Sequence, residues 1–337
     1  MSNKLKFVIV GFGHIGKRHA EMIFRNFNCE LVAVIDIKEF SDHELIKKYN
    51  CKYFNNIDDL IVSKLDFDLI NICTPNGLHL KYSLIGLDQK KHIVIEKPMA
   101  LSKKDAELII HKSILANKKV FCVMQNRYSP PSTWLKNIVE SNLLGQVFFI
   151  KIDCFWNRDE RYYKSGGWHG TKDLDGGTLF TQFSHFIDLM YWIFGDVENV
   201  KSQFYNFNHK NLTSFEDSGI INFDFLNGTK GVFTFSTSVF NENLESSLTI
   251  IAENGSIKLG GQYMDKVEYS NIKNYKMPVL PPTNPGNDYG TYKGSAQNHN
   301  FVIENIVDVL TNNKEITTNM MDGLKVVEII EKFYKSI

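Results

Sequence analysis

The feature that most constrains the fold is a glycine-rich turn between a short apolar run and a helical segment. The run LKFVIV (5–10) leads into GFGHIG, which places Gly11, Gly13 and Gly16 in the spacing G-x-G-x-x-G. After a strand, the first glycine permits a tight turn, the second lets a pyrophosphate approach the backbone, and the third allows close helix–strand packing. The helix N-terminus adds free N–H groups and partial positive charge. The motif therefore predicts a dinucleotide-binding βαβ unit.

Strand-like and helical segments alternate through the first 124 residues. Further β-rich runs are CELVAVID (29–36), DLINICT (68–74), HIVI (92–95) and KVFCVM (119–124). The segments between them have helical spacing, most clearly 102–117 with Ser102 as N-cap. This alternation predicts a parallel, doubly wound sheet, so we assign residues 1–124 to a dinucleotide-binding Rossmann domain.

The pattern changes after residue 124. We predict a helix over 131–141, a strand over 146–156, a helix near 177–194 and closing helices at about 298–312 and 320–335. Two alternating hairpins turn at Asn227-Gly228 and Asn254-Gly255, and 261–298 is irregular. Residues 125–337 are thus predicted to form an α+β domain with an open, mostly antiparallel sheet. We expect the last helix to pack against the first domain.

Charge and composition exclude several classes of function. Lys+Arg and Asp+Glu balance at 38 each, which gives no support for a nucleic-acid polymer or an anionic membrane as partner. No apolar stretch approaches the roughly 20 residues that cross a bilayer, and the first residues do not have a signal-peptide pattern. The five cysteines include no C-x-x-C pair, which predicts reduced thiols in a cytoplasmic protein. Cys154 and His169 are too isolated for a zinc site, so we expect no metal.

Asp36 indicates which dinucleotide is bound. It ends the second predicted strand, 20 residues beyond Gly16. A carboxylate there accepts hydrogen bonds from the adenine ribose hydroxyls and repels a 2′-phosphate, which favours NAD over NADP. Lys38 can tolerate that phosphate and leaves NADP as the alternative.

Two further segments are predicted at the edge of the sheet that binds ligands. CTPNGLH (73–79) and EKP (96–98) each follow a strand, and open α/β sheets bind ligands at the carboxyl ends of their strands. We therefore expect the charged pair Glu96-Lys97 to face a cleft rather than the core. The residues expected to contact the cofactor are Gly11, Phe12, Gly13, His14, Ile15, Gly16, Asp36, Thr74, Pro75, Asn76, His79, Glu96 and Lys97.

The predicted helix near 177–194 presents a histidine between two polar side chains. Thr181, His185 and Asp188 are spaced i, i+4 and i+7 and would share one helix face. Asp188 can then fix the tautomer of the imidazole. The alternative interpretation is a core histidine without a chemical role.

Taken together, these segments resemble the Gfo/Idh/MocA family of NAD(P)-dependent sugar and cyclitol oxidoreductases over essentially the whole chain. The resemblance rests on VGFGHIG, CTPNGLH, EKPMAL, the GG…SHFID helix and the ending GLKVVEIIEKFYKS. It implies NAD as cofactor, a second domain for substrate binding and assembly into a homodimer or homotetramer, and catalytic Lys97 and His185 meeting beside the nicotinamide. In that scheme His185 removes the proton of a secondary alcohol, and the Lys97 ammonium stabilises the developing alkoxide. Many members carry Asp where this chain has Thr181. The resemblance therefore leaves the main catalytic roles to Lys97 and His185.

The loop 154–177 (CFWNRDERYYKSGGWHGTKDLDGG) points to the substrate. Arg158 and Arg161 can bind a carboxylate or diphosphate, and Tyr162, Tyr163 and Trp168 can face sugar or base rings; the alternative is a solvated loop anchored by aromatic residues. The arrangement resembles the subgroup that oxidises UDP-N-acetylglucosaminuronate at the sugar C3 hydroxyl for surface polysaccharides. Enzymes of that subgroup can also reoxidise a retained cofactor with a 2-oxo acid. The expected substrate residues are Lys97, Arg127, Arg158, Tyr162, Tyr163, Thr181, Gln182, His185 and His299.

Two other functions stay open at this point. One is a dehydrogenase of a free sugar or inositol, whose substrate offers no phosphate to the arginines. The other is a non-catalytic nucleotide-binding regulatory protein, against which the intact glycines, Lys97 and His185 argue.

Overall fold

The chain forms two compact units. The computed structural model describes residues 4–38, 43–163 and 167–336. Unit 1 comprises Met1–Met124 and His299–Val327, and unit 2 comprises Gln125–Asn298 and Glu328–Ile337. This division differs from the predicted one after residue 298, because residues 299–327 group with unit 1.

Unit 1 contains a parallel sheet whose strand order reverses beside its central strand. The order is β3-β2-β1-β4-β5-β6, and every neighbouring pair is parallel. This is the doubly wound dinucleotide-binding topology, with its switch point between β1 and β4, and it confirms the predicted class. The elements before residue 125 are β1 Leu5–Val10, α1 His14–Arg25, β2 Cys29–Ile35, α2 His43–Tyr49, β3 Lys52–Phe54, α3 Ile57–Val62, β4 Leu69–Ile72, α4 His79–Asp88, β5 His92–Ile95, α5 Lys103–Ala116 and β6 Val120–Cys122.

Burial and capping explain why these segments fold as they do. The last four residues of β1, Phe7 to Val10, are buried, as expected for the centre of a sheet covered on both faces. Ser102 caps α5 by accepting a hydrogen bond from the Asp105 backbone N–H, as its sequence predicts. Helix α9 (His299–Asn312) packs on α1 within unit 1. Helix α10 (Met320–Lys335) begins in unit 1 and ends in unit 2.

Unit 2 is built on a seven-stranded sheet of order β13-β12-β11-β7-β10-β9-β8. All neighbouring strands are antiparallel except β7 and β10, which confirms the mostly antiparallel prediction. Its aromatic residues Phe223 and Phe233 pack on Phe333 of α10. The elements of this part are α6 Pro130–Glu140, β7 Val147–Phe155, α7 Thr178–Thr181, α8 Ser184–Phe194, β8 Val197–Tyr205, β9 Ser218–Phe225, β10 Lys230–Ser236, β11 Glu245–Ala252, β12 Gly255–Gly260, β13 Lys266–Ile272, β14 Gly286–Asp288 and β15 Lys293–Ala296.

Three local predictions for unit 2 are wrong. The segment 261–298, expected to be irregular, contains β13, β14 and β15. The helix expected near 177–194 is interrupted at Gln182 and Phe183, so α7 and α8 are separate helices. The second hairpin turns one residue earlier than predicted, because Ala252 pairs with Gly255 and leaves Glu253 and Asn254 as the turn. In the described parts of the chain, no helix has the length and apolar character needed to span a membrane.

Candidate active site

The glycine turn of unit 1 leaves open space at one position only among its three glycines. Gly11 has a φ of +89°, and a Cβ added there would lie 2.6 Å from the Cys73 carbonyl oxygen. A Cβ on Gly16 would lie 2.1 Å from the Gly11 carbonyl oxygen. At Gly13, directly before α1, an added Cβ would meet no heavy atom within 4 Å. Gly11 and Gly16 therefore serve packing, whereas the space over Gly13 fits a phosphate approaching the backbone.

Asp36 lies beside this turn. Its Oδ2 accepts a hydrogen bond from the Phe12 backbone N–H at 2.7 Å, and its Oδ1 accepts one from the Lys38 backbone N–H at 2.9 Å. Each carboxylate oxygen can accept a further hydrogen bond, so the half-buried Asp36 can still bind ribose hydroxyls. The open Gly13 and this carboxylate together fit NAD.

The residues predicted to contact the cofactor differ widely in their burial. Gly13 and His14 are exposed, and Ile15, Thr74, Pro75 and Lys97 are half-buried. The remaining four side chains, Phe12, Asn76, His79 and Glu96, are buried.

Glu96 points into the core, so the prediction that the Glu96-Lys97 pair faces a cleft is wrong for Glu96. The residue is 6% exposed. Its Oε1 lies 2.9 Å from His19 Nε2, and its Oε2 accepts the Lys97 backbone N–H at 3.2 Å. Burial raises the pKa of Glu96, but interactions with His19 and His299 outweigh it and hold that pKa well below its usual range. Glu96 is therefore an ionised core carboxylate at neutral pH.

His79 is also a core residue, which corrects its interpretation as a cofactor contact. It has 0% exposure, with Nδ1 2.7 Å from the Pro98 carbonyl oxygen and Nε2 3.1 Å from the Thr74 carbonyl oxygen. Burial lowers the pKa of His79. A neutral imidazole has one N–H, so the ring donates to one of these two carbonyl oxygens.

His299 belongs to the same buried region of unit 1. Its Nε2 lies 3.5 Å from Glu96 Oε1, and burial lowers the pKa of His299. It is 2% exposed, and its predicted contact with a substrate stays a prediction. The cluster His19, Glu96 and His299 was missed by sequence reasoning, because its members are far apart in the chain and no local motif joins them.

His185 lies in the first turn of α8 in unit 2. It is 3% exposed, and the Gln125 amide Nε2 lies 3.2 Å from its Nε2. Thr181 lies on the separate helix α7, where its hydroxyl donates to the Asp175 carbonyl oxygen at 3.0 Å and contacts the Asp175 carboxylate. The predicted single helix face shared by Thr181 and His185 is therefore not formed.

Arg127 and Asp188 form a buried ion pair. Arg127 Nε donates to Asp188 Oδ2 at 2.9 Å, and Nη2 donates to Oδ1 at 2.5 Å. The side chains are 1% and 0% exposed, and the guanidinium lies over the Trp192 ring. This two-point geometry is the strong form of such a pair. The Arg127 charge is therefore balanced inside the protein; that Arg127 contacts the substrate and that Asp188 fixes the His185 tautomer both stay predictions.

Arg158 has a different environment, made of aromatic rings and neutral oxygens. Its guanidinium carbon lies 4.8 Å from the ring centre of Trp156, 5.1 Å from that of Tyr162 and 5.0 Å from that of Tyr292. Its Nε donates to Gln182 Oε1 at 2.8 Å. Its terminal nitrogens donate to the Asn157 and Lys293 carbonyl oxygens and the Asn243 amide oxygen. Over residues 4–38, 43–163 and 167–336, no carboxylate forms an ion pair with Arg158, and burial lowers its pKa.

The rest of the predicted substrate loop is partly core and partly surface. Tyr162 accepts a hydrogen bond from Gln182 Nε2 at 2.8 Å, and Tyr163 packs edge-on against His209. Arg161 is exposed and paired with Asp159. Residues 164–166 of this loop lie outside the described residues.

Two family models match the chain. One, described as an oxidoreductase family with an NAD-binding Rossmann fold, matches residues 5–124. The other, the GFO/IDH/MocA C-terminal domain, matches residues 133–258.

Solved structures and curated relatives resemble the chain over nearly its full length. The WlbA dehydrogenase from Bordetella pertussis, in complex with NADH and UDP-GlcNAcA, is 25% identical, with 99% of this chain and 96% of that chain covered and a TM-score of 0.88. The WlbA enzyme from Chromobacterium violaceum, with the same two ligands, is 25% identical, with 100% and 94% covered and a TM-score of 0.89. Glucose-6-phosphate 3-dehydrogenase from Bacillus subtilis is 24% identical, with 98% of this chain and 95% of that protein covered.

These matches agree with the nucleotide turn and the two sheets. The first family model is defined by NAD binding, and the open Gly13 and the Asp36 carboxylate fit that cofactor. The chain belongs to the Gfo/Idh/MocA family of NAD-binding oxidoreductases.

Proposed function

We propose that the protein oxidises the C3 hydroxyl of a nucleotide-linked amino-sugar uronate, UDP-N-acetylglucosaminuronate, in the biosynthesis of a surface polysaccharide. The observation that carries the proposal is the near full-length likeness to two dehydrogenases solved with NADH and UDP-GlcNAcA. This substrate carries a uronate carboxylate and a diphosphate, so the proposal requires cationic groups suited to anions.

Arg158 supports an anionic substrate. A buried charge is costly unless it is paired, and the rings around Arg158 offset only part of that cost. Of its five N–H groups, four donate to Gln182, Asn157, Asn243 and Lys293. The fifth, on Nη2, has no acceptor among the described residues. An anionic group of the substrate would balance this charge.

The chemistry assigned to the chain uses one amine and one imidazole. Gly13 and Asp36 would hold NAD, which supplies the hydride acceptor when bound. The Lys97 ammonium donates a hydrogen bond to the substrate hydroxyl and stabilises negative charge as it develops on that oxygen. The His185 imidazole removes the hydroxyl proton. Thr181 carries no charge, and its hydroxyl is bonded to Asp175, so it adds no acid or base.

A phosphorylated sugar is the second candidate. Glucose-6-phosphate 3-dehydrogenase matches 98% of this chain, and its substrate is also an anion. Inositol 2-dehydrogenase from Salmonella typhimurium is 28% identical over 59% of this chain, but inositol carries no charge for Arg158 to bind.

A comparison of four substrates tests the proposal. NADH formation is measured at 340 nm with UDP-N-acetylglucosaminuronate, UDP-N-acetylglucosamine, glucose 6-phosphate and myo-inositol. A parallel assay adds 2-oxoglutarate and measures the oxidised sugar by mass spectrometry, which detects turnover by an enzyme that retains its cofactor. We expect kcat/KM for the uronate to exceed that for UDP-N-acetylglucosamine by about 100-fold, because only the uronate carries the carboxylate. A higher kcat/KM with glucose 6-phosphate or inositol would overturn the proposal.

Matched variants separate catalysis from binding. We expect Lys97→Met and His185→Asn each to lower kcat by about 100-fold or more, with NAD binding retained. Arg25→Gln is the surface control, since Arg25 is exposed and its ion pair among the described residues is with Glu21. Full activity of both Lys97→Met and His185→Asn would refute the assigned chemistry.

A further inference from the structure

We propose that His19 is a positioning residue that fixes the backbone before Lys97, and we note that His79 contacts the segment after it. Neither is assigned to the substrate or the cofactor in the proposed function. The proposal rests on that function only in taking Lys97 as the catalytic amine.

The first half of the network fixes the residue before Lys97. Asn71, on β4, places its Nδ2 2.9 Å from His19 Nδ1, and His19 Nε2 lies 2.9 Å from Glu96 Oε1. The other oxygen of Glu96 accepts the Lys97 backbone N–H at 3.2 Å. All three side chains are buried, with Asn71 at 0% and His19 at 1% exposure. Asn71, His19 and Glu96 thus connect α1 and two neighbouring strands to the Lys97 amide.

The second half contacts the residue after Lys97. His79 begins α4, and its Nδ1 lies 2.7 Å from the Pro98 carbonyl oxygen. Its Nε2 lies 3.1 Å from the Thr74 carbonyl oxygen. The same ring therefore lies against both the segment after β5 and the segment after β4, and its single N–H donates to one of the two carbonyl oxygens.

These contacts leave Lys97 as the half-buried residue between two neighbours that each contact a buried histidine. Catalysis by an amine depends on its placement, and a misplacement of about 1 Å can cost on the order of 100-fold in rate. Because a buried carboxylate without a partner is costly, loss of the His19 contact would turn Glu96 towards water and move the Lys97 amide with it. His19 would act on rate without touching the substrate.

A metal ion is the alternative explanation for the cluster His19, Glu96 and His299, whose ligand atoms lie within 4.8 Å of one another. The 2.9 Å between His19 Nε2 and Glu96 Oε1 is a hydrogen-bond distance. Two ligands at about 2.0–2.1 Å from one tetrahedral zinc ion lie about 3.3 Å apart. The contact between Asn71 and the other ring nitrogen completes a chain of hydrogen bonds, which is the arrangement we favour.

Two substitutions at His19 test the positioning role. Gln can still donate a hydrogen bond to Glu96, whereas Leu cannot. We expect His19→Leu to lower kcat about 10- to 100-fold, with KM for NAD within about threefold of the parent, since the lost contact is a hydrogen bond to a charged group. His19→Gln should recover kcat to within about fivefold of the parent. Asn71→Ala, which removes only the donor to His19, should shift kcat in the same direction and keeps the test usable if His19→Leu does not fold.

A second readout does not depend on the substrate. The rate at which acetic anhydride modifies Lys97, measured by mass spectrometry against exposed lysines, should change in His19→Leu and return in His19→Gln. If neither the parent nor any variant turns over the substrate, the proposed substrate is refuted. Altered labelling of Lys97 in His19→Leu would still support the positioning role in that case.

Three results would overturn the proposal. The first is an unchanged kcat and unchanged Lys97 labelling in His19→Leu. The second is an equal loss of kcat in His19→Leu and His19→Gln. The third is a metal content of about one ion per chain in the parent that is lost in both His19 variants.

Discussion

Replacing Gly13 by Ala should abolish tight NAD binding and leave the fold intact. A Cβ at Gly13 meets no protein atom within 4 Å, and the φ of −74° and ψ of −159° suit alanine. Two effects on stability oppose each other. Alanine lowers the entropy of the unfolded chain, worth about 0.4–1 kcal/mol, but it is a poorer N-cap than glycine by a similar amount. The free energy of unfolding should therefore change by less than about 1 kcal/mol.

The effect on the cofactor should be much larger. The added methyl group occupies the space through which the pyrophosphate approaches the backbone N–H groups. Loss of one or two charge-assisted hydrogen bonds, at about 1.5–3 kcal/mol each, corresponds to a rise in Kd of about 10-fold to more than 1,000-fold. Isothermal titration with NAD measures this change, and thermal unfolding without NAD measures the fold.

Gly16→Ala is the matched control for this prediction. An added Cβ there would lie 2.1 Å from the Gly11 carbonyl oxygen, so this variant should lose stability even without NAD. The reasoning would be refuted if Gly13→Ala bound NAD as tightly as the parent, or if it unfolded as readily as Gly16→Ala.

Three further predictions concern unit 2. Asp188→Leu should lower the free energy of unfolding by about 3–5 kcal/mol, because it leaves the buried Arg127 without its carboxylate. The double variant with Arg127→Leu should recover much of this loss. Denaturant titration measures both variants, and equal stability of the single and double variants would contradict the prediction. Burial raises the pKa of Glu216 from 4.5 to about 7, despite a hydrogen bond from Tyr334. The stability that this group contributes is therefore full below about pH 4.5 and is lost as pH rises through about 7. Glu216→Gln should match the parent near pH 4.5 and exceed it by about 1–3 kcal/mol at pH 8, and an equal difference at both pH values would contradict this. Arg158→Lys should raise KM for the uronate about 10-fold, because an ammonium cannot reach all the acceptors that the planar guanidinium binds; unchanged KM would argue against an anion site there.

The sequence predicted the elements whose patterns are local. The glycine spacing, the strand–helix alternation and the Ser102 cap each depend on a few neighbouring residues, and the structure contains all three. The strands β3 and β13 were missed because both lie at sheet edges, where few residues are buried and the apolar pattern is weak. The break between α7 and α8 gave no signal, since neither Gln182 nor Phe183 is a helix breaker.

Predictions about which side chains face a ligand were less successful, because pairing partners come from distant parts of the chain. Glu96 and His79 lie after strands as expected. Both side chains are nevertheless buried, with Glu96 in contact with His19 and His79 in contact with Pro98. Arg127 is paired with Asp188, 61 positions away. That Arg158 binds the substrate stays a prediction, and the lack of a carboxylate beside it among the described residues is visible only in three dimensions.

The central claim is that Lys97 and His185 act on one substrate hydroxyl. A crystal structure of the protein with NAD and UDP-N-acetylglucosaminuronate tests this most directly. We predict that Lys97 Nζ and one ring nitrogen of His185 both lie about 2.6–3.2 Å from the C3 oxygen. A complex in which only one of these side chains, or neither, lies within about 4 Å of that oxygen would contradict the account.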